Sequence, residues 1–160
     1  MPIRCGIDNC RKEVKTLVMV NVTVDGQKVE VPKGTTILDA AKKVGITIPT
    51  LCHHEDLDVN AMCRICVVEV VGARTLQAAC SQPVADGMEI ITNSPAVRQA
   101  RKMNLELLLS NHPQDCLNCV RNQRCELQAL ADQLGVRAQS FPTKKWPEQP
   151  KDESTAALVR

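Results

Sequence analysis

Leu17-Val18-Met19-Val20-Asn21-Val22-Thr23-Val24-Asp25-Gly26-Gln27-Lys28-Val29-Glu30-Val31 decides the fold. Two runs rich in β-branched residues flank an Asp-Gly dipeptide. That dipeptide tolerates the positive φ angles that a tight two-residue hairpin turn requires, so the stretch predicts a β-hairpin. Thr36 follows as a helix cap, with Asp39 at the third helical position to suit the dipole and Gly45 to end the helix. Ile37, Leu38, Ala41 and Val44 are spaced for one buried face. A long loop from about Ile46 to Arg64 leads to three further strands, expected at Ile65–Val71, Leu76–Ala79 and Met88–Thr92. Hairpin, helix, then strands is the order of a β-grasp domain, an α+β sheet crossed by one helix.

Ser94-Pro95 starts a second helix, Ser as cap and Pro at the first helical position. Val97, Arg101, Leu105, Leu108 and Leu109 fall on or near one of its faces, and Pro113 stops it. Glu126 to Leu134 reads as a short helix ended by Gly135. From Phe141 to Glu153 the chain is charged and carries two prolines, a linker composition. The expected organisation is an N-terminal extension at 1–16, a β-grasp domain at 17–93, a helical segment at 94–140 and a tail at 141–160.

Eight metal-ligand residues fall in two groups. Cys52, Cys63, Cys66 and Cys80 form a C-x10-C-x2-C-x13-C run, and His112, Cys116, Cys119 and Cys125 an H-x3-C-x2-C-x5-C run. Each offers four soft or borderline donors, which suits an iron–sulfur cluster and equally a closed zinc site. The tight Cys63–Cys66 pair is expected to wrap one side of the first site, with Cys52 and Cys80 arriving from separate parts of the fold. A loop of this kind aims backbone N–H groups at sulfur and, with Arg64 nearby, stabilises an added electron. His53 and His54 adjoin Cys52 but lack the second Cys-His pair of a Rieske centre, so they read as loop histidines. In the second group a neutral imidazole in place of a thiolate removes one negative charge. That eases reduction and introduces a group able to exchange a proton; Arg121 and Arg124 act in the same direction.

Of the nine cysteines, Cys5 and Cys10 belong to neither group and read as inert thiols. An odd count, CxxC pairs and no signal peptide argue against a secreted disulfide framework and for a reducing cytoplasm. No apolar run approaches the roughly 20 residues of a membrane span. One Phe, one Trp and no Tyr leave the core to Val, Ile, Leu, Ala and Met. So small a core gains from metal staples.

The two groups, in this order and separation, resemble the N-terminal module of NAD(P)-linked [FeFe]-hydrogenase large subunits. They are also similar to the start of the large iron–sulfur (NADH dehydrogenase) subunit of respiratory complex I. The stretches that carry the resemblance begin with Ile48-Pro49-Thr50-Leu51-Cys52 and Cys63-Arg64-Ile65-Cys66-Val67-Val68-Glu69-Val70. They continue through Leu105-Glu106-Leu107-Leu108-Leu109-Ser110-Asn111-His112-Pro113, Asp115-Cys116 and Cys125-Glu126-Leu127-Gln128. The resemblance covers about Val18 to Ser140.

It implies a [2Fe–2S] cluster on Cys52, Cys63, Cys66 and Cys80 in a β-grasp ferredoxin domain, then a [4Fe–4S] cluster on His112, Cys116, Cys119 and Cys125. With −2 on the first site and −1 on the second, the formal charge of +2 becomes about −1. The charge therefore gives no reason to expect nucleic-acid or membrane partners. The implied function is electron relay between a flavin- or NAD(P)H-linked partner and a hydrogenase or complex I-like catalytic unit. The implied partners are other iron–sulfur and flavin/NAD(P)-binding subunits. Ser154 to Arg160 resembles the lead-in to a next domain, and the chain offers no catalytic site of its own. It reads as the first part of a larger subunit or as a separate small subunit. Two readings of other kinds stand beside this one: a zinc-stapled interaction domain and a cluster-based redox sensor.

Overall fold

The computed structural model describes residues 18–113, 115–138 and 141. The expected extension at 1–16, with Cys5 and Cys10, and the linker beyond Phe141 lie outside the described residues.

The expected hairpin forms. β1 (Met19–Val24) pairs antiparallel with β2 (Gln27–Pro32), Val24 opposite Gln27 and Met19 opposite Pro32. Asp25 and Gly26 take φ of 47° and 83°, both positive, as this hairpin turn demands. α1 (Ile37–Lys43) begins at Thr36, whose hydroxyl oxygen accepts from Asp39 N–H at 3.1 Å. Ile37, Leu38, Ala40 and Ala41 are its buried residues. Val44, expected inside, only half-buries as the C-cap.

β3 (Val67–Val70), β4 (Gln77–Ala78) and β5 (Glu89–Ile91) complete a five-stranded sheet in the order β2-β1-β5-β3-β4. β1 and β5 run parallel, and every other pair is antiparallel. The sheet packs on α1 through an aliphatic cluster that includes Val22, Val24, Val31, Ile37, Val68 and Ile90. Methionine contributes less to the core than its hydrophobicity suggests: Met88 packs at the edge, while Met19, Met62 and Met103 are exposed.

α2 (Pro95–Ser110) is capped by Ser94, which accepts from Val97 N–H at 3.3 Å. α3 (Glu126–Gln133) ends before Gly135. Between them Cys116–Asn118 makes a single 3₁₀ turn.

β3 starts two residues later than its sequence suggests. Ile65, in pattern the first strand residue, is fully buried in a second apolar cluster with Leu105, Leu130 and Val136. The loop between Cys63 and Cys66 therefore inserts its one large apolar side chain among α2 and α3. Arg64, at φ 54°, makes the bend that allows this.

Candidate metal centres

The first four sulfurs meet at one end of the sheet. β3 and β4 bring two of them together: Ala78 lies opposite Val67, and Ala79 N–H donates to the Cys66 carbonyl at 3.1 Å. This register sets Cys66 Sγ 3.4 Å from Cys80 Sγ, both buried. The other two lie on the long loop, where Ala61 (φ 49°) and Arg64 turn the chain. There the Cys52 and Cys63 thiols lie close enough to shift each other's acidity. The thiols are thus paired as Cys52 with Cys63 and Cys66 with Cys80. The sequence spacing suggests the contiguous Cys63–Cys66 pair instead. The β3–β4 ladder gives Cys66 a partner 14 residues away.

Their acidities report how closely the sulfurs are gathered. The Cys80 thiol is pushed up to about 12, first by burial, then by its bond to Cys66 and by the charges that Cys66, Cys52 and Cys63 would carry. Cys63 is also raised, chiefly by burial, although Ile65 N–H donates to its sulfur. At Cys52, burial is outweighed by main-chain N–H donors from Cys63, Met62 and Cys52 itself, with help from the Cys63 thiol, and its pKa moves down. Four thiolates cannot coexist in so small a space without strong positive charge among them. A metal centre with N–H···S bonds around it meets that requirement. None of the seven described cysteines forms a disulfide.

Among the described residues, no three His, Cys, Asp or Glu side chains are gathered tightly enough to hold one metal ion. A single tetrahedral zinc would draw four donors to one point at about 2.0–2.3 Å. Two separate thiol pairs suit a two-iron centre, one pair to each iron.

The second set surrounds a cavity. His112, Cys116, Cys119 and Cys125 all line a space of about 240 Å³. His112 follows the end of α2, its N–H bonded to the Leu109 carbonyl at 3.1 Å. Cys116 opens the 3₁₀ turn and Cys119 ends it, while Cys125 is the N-cap of α3. Apolar side chains of Leu109, Leu127, Ala131 and Val136 form the floor. The loop is held from within: Asn118 donates to Asp115 at 2.8 Å, and Gln128 accepts from Gln123 N–H and donates to Asn122, both at 3.1 Å. Arg121 N–H points at Cys119 Sγ, 3.4 Å away. Donors spread around a cavity of this size fit a four-iron cube better than one ion.

The structure brings each predicted set together. His53 and His54 line a cleft beside α1 with Lys42 and Glu55, as loop histidines. Among the described residues, His53 Nδ1 is the one buried side-chain nitrogen or oxygen without a partner. Two residues that shape the first site have no place in its ligand spacing. Arg101 donates to the Val67 carbonyl at 2.8 and 3.2 Å, and Asn104 donates to the Arg64 carbonyl at 2.8 Å. The signal for Arg101 is in the sequence: a charged residue on the apolar face of α2.

Comparison with known proteins finds an iron–sulfur family over each of the two segments. A family described as "2Fe-2S iron-sulfur cluster binding domain" matches residues 18–95. Another, "NADH-ubiquinone oxidoreductase-G iron-sulfur binding region", matches residues 101–140. The "NADP-reducing hydrogenase subunit HndD" of Solidesulfovibrio fructosivorans is 48% identical over 147 residues, covering 89% of this chain and 25% of the relative. The "NADH-ubiquinone oxidoreductase 75 kDa subunit" of Reclinomonas americana is 52% identical over 112 residues, 70% of this chain and 16% of the relative. A crystal structure of an NAD+-reducing [NiFe]-hydrogenase in the H2-reduced state superposes with a TM-score of 0.73 at 32% identity. That match covers 82% of this chain and 55% of the other. The chain spans a quarter or less of the length of these two curated relatives. No described helix is long and apolar enough to cross a membrane. Residues 18–95 thus belong to the 2Fe-2S iron-sulfur cluster binding domains and residues 101–140 to the iron-sulfur binding region of NADH-ubiquinone oxidoreductase-G, which makes the chain an α+β electron-transfer module with one cluster of each kind.

Proposed function

We propose that Cys52, Cys63, Cys66 and Cys80 hold the [2Fe–2S] cluster and that His112, Cys116, Cys119 and Cys125 hold the [4Fe–4S] cluster. The division runs near residue 93, with the ferredoxin-like domain at 17–93 and the helical domain at 94–140. The observation that carries the reading is the pairing of the first four thiols. Cys52 with Cys63 forms one iron's ligand pair, and Cys66 with Cys80 the other's. The shared cavity of His112 and its three cysteines supports the second assignment.

Bound clusters supply one-electron chemistry. The residues of this chain bind them, aim N–H groups at their sulfur ligands and bury Cys66 and Cys80 away from water. In the larger assembly the chain relays electrons between a flavin- or NAD(P)H-linked subunit and a hydrogenase or complex I-like catalytic unit. The two curated relatives, named as a hydrogenase subunit and an NADH-ubiquinone oxidoreductase subunit, support this place in the assembly. The cytoplasm, with its reducing conditions, is the compartment that suits the free thiols of the described residues.

Anaerobically purified protein should contain roughly six irons and six inorganic sulfides, with two distinct EPR signals on reduction. Stoichiometric zinc without sulfide refutes the reading.

A further inference from the structure

Arg101 is 7% exposed, although its guanidinium keeps its positive charge at any ordinary pH. Its Nε and Nη2 both donate to one acceptor, the main-chain oxygen of Val67, at 3.2 and 2.8 Å. It forms no ion pair with a carboxylate among the described residues. Buried guanidinium groups are normally paired, because an uncompensated buried charge is costly. Two groups bear on this one electrostatically, Cys66 before Asp25, and both favour its charged form against burial. Asp25 is committed elsewhere. Its two oxygens accept from Thr92 N–H at 2.7 Å and from the Thr92 hydroxyl at 2.5 Å. Cys66 adjoins Val67, the residue whose carbonyl anchors the guanidinium.

We propose that Arg101 is the charge partner of the [2Fe–2S] site, a buried cation supplied by α2 that raises the reduction potential of that cluster through Cys66. The inference rests on Cys66 being a ligand. Reduction adds one electron and no proton, so the site becomes more negative by one charge. A fixed buried cation favours that change, and in a poorly screened interior it does so more strongly than a surface charge such as Arg64. Arg101 touches no reacting atom and is a positioning residue for charge. The helix that contains it leads into the second site, so one residue ties the electrostatics of the first cluster to the folding of the segment that holds the second.

The test is an anaerobic dye-mediated redox titration of the complete chain, reduced with dithionite and followed by EPR. The variants are Arg101→Gln, Arg101→Met and Cys66→Ser. Both Arg101 variants should keep the iron content and the [4Fe–4S] midpoint. At a fixed potential their ratio of reduced to oxidised [2Fe–2S] should fall about tenfold, a shift of about 59 mV for one electron. A midpoint unmoved in a folded Arg101 variant overturns the proposal. If neither variant folds, citrulline incorporated in place of Arg101 carries the test. It keeps the Nε and Nη donors to the Val67 carbonyl and removes the charge, so the same ratio should fall about tenfold; an unchanged ratio overturns the proposal. Cys66→Ser separates the underlying assignment. If it leaves the [2Fe–2S] spectrum intact, the ligand reading fails, and the role of Arg101 fails with it. If it alters the spectrum while Arg101→Gln leaves the potential alone, only the role of Arg101 fails.

Discussion

The side-chain amide of Asn104 donates to the main-chain oxygen of Arg64 at 2.8 Å, bridging 40 residues of sequence. Arg64 sits between two proposed ligands at a positive φ that a non-glycine residue adopts at a cost. Asn104→Ala should therefore lower stability by about 1 kcal/mol. It should also change the line shape of the [2Fe–2S] EPR signal and leave the [4Fe–4S] signal as it was. Thermal melts and EPR of one preparation check both parts, and an unaltered [2Fe–2S] spectrum shows that the bond does not shape the loop.

Leu105 is fully buried and packs in the same cluster as Ile65. Truncating it to alanine should cost about 2–5 kcal/mol, the usual range for a buried leucine. Because the cluster also contains Leu130, next to the second site, Leu105→Ala should speed the loss of both iron signals on exposure to a chelator. Loss confined to the [4Fe–4S] signal shows that the shared packing does not connect the sites.

The metal-free chain should become less stable in alkali. The Cys80 thiol has an ordinary value of 9.0 and is raised to about 12 by burial and neighbouring sulfurs. Folding thus favours its neutral form. That contribution is whole below about pH 9 and is lost as pH rises toward 12. Melting temperatures of the metal-free form should fall between about pH 8.5 and 10.5, and Cys80→Ala should flatten the fall. The metal-loaded protein should show a smaller decline, because its thiolates are already compensated by metal charge. Parallel slopes for parent and Cys80→Ala exclude Cys80 as the cause.

His112→Cys should retain a four-iron cluster and add one thiolate charge to it. The extra negative charge opposes reduction, so the [4Fe–4S] midpoint should fall while the [2Fe–2S] midpoint stays in place. Potentiometric EPR decides it; an unchanged midpoint and spectrum mean that the fourth ligand lies elsewhere.

Features set by neighbouring residues were legible in the sequence. Asp25-Gly26 makes its hairpin, and Thr36 and Ser94 cap their helices, because turn and cap chemistry acts over a few bonds. The two donor groups were legible as sets, since a few soft ligands at short spacing have few other uses. Ile65 was misplaced because β-branching and periodicity cannot distinguish a strand's first residue from a loop side chain buried against a distant helix. The thiol pairing was hidden for a related reason. Proximity in sequence favours Cys63 with Cys66, while a strand register set by backbone hydrogen bonds joins Cys66 to Cys80. Arg101 stood on the expected face of α2, but its use depends on what that face meets.

Ile65 belongs in sequence to the ferredoxin-like half and in space to the helical half. A ferredoxin severed near residue 93 would present that side chain, and the carbonyls of Arg64 and Val67, to water. Its surface would need rewriting before it could serve as a free-standing carrier. The two halves therefore fold and function best as one piece, and a cut between them leaves an apolar scar on each.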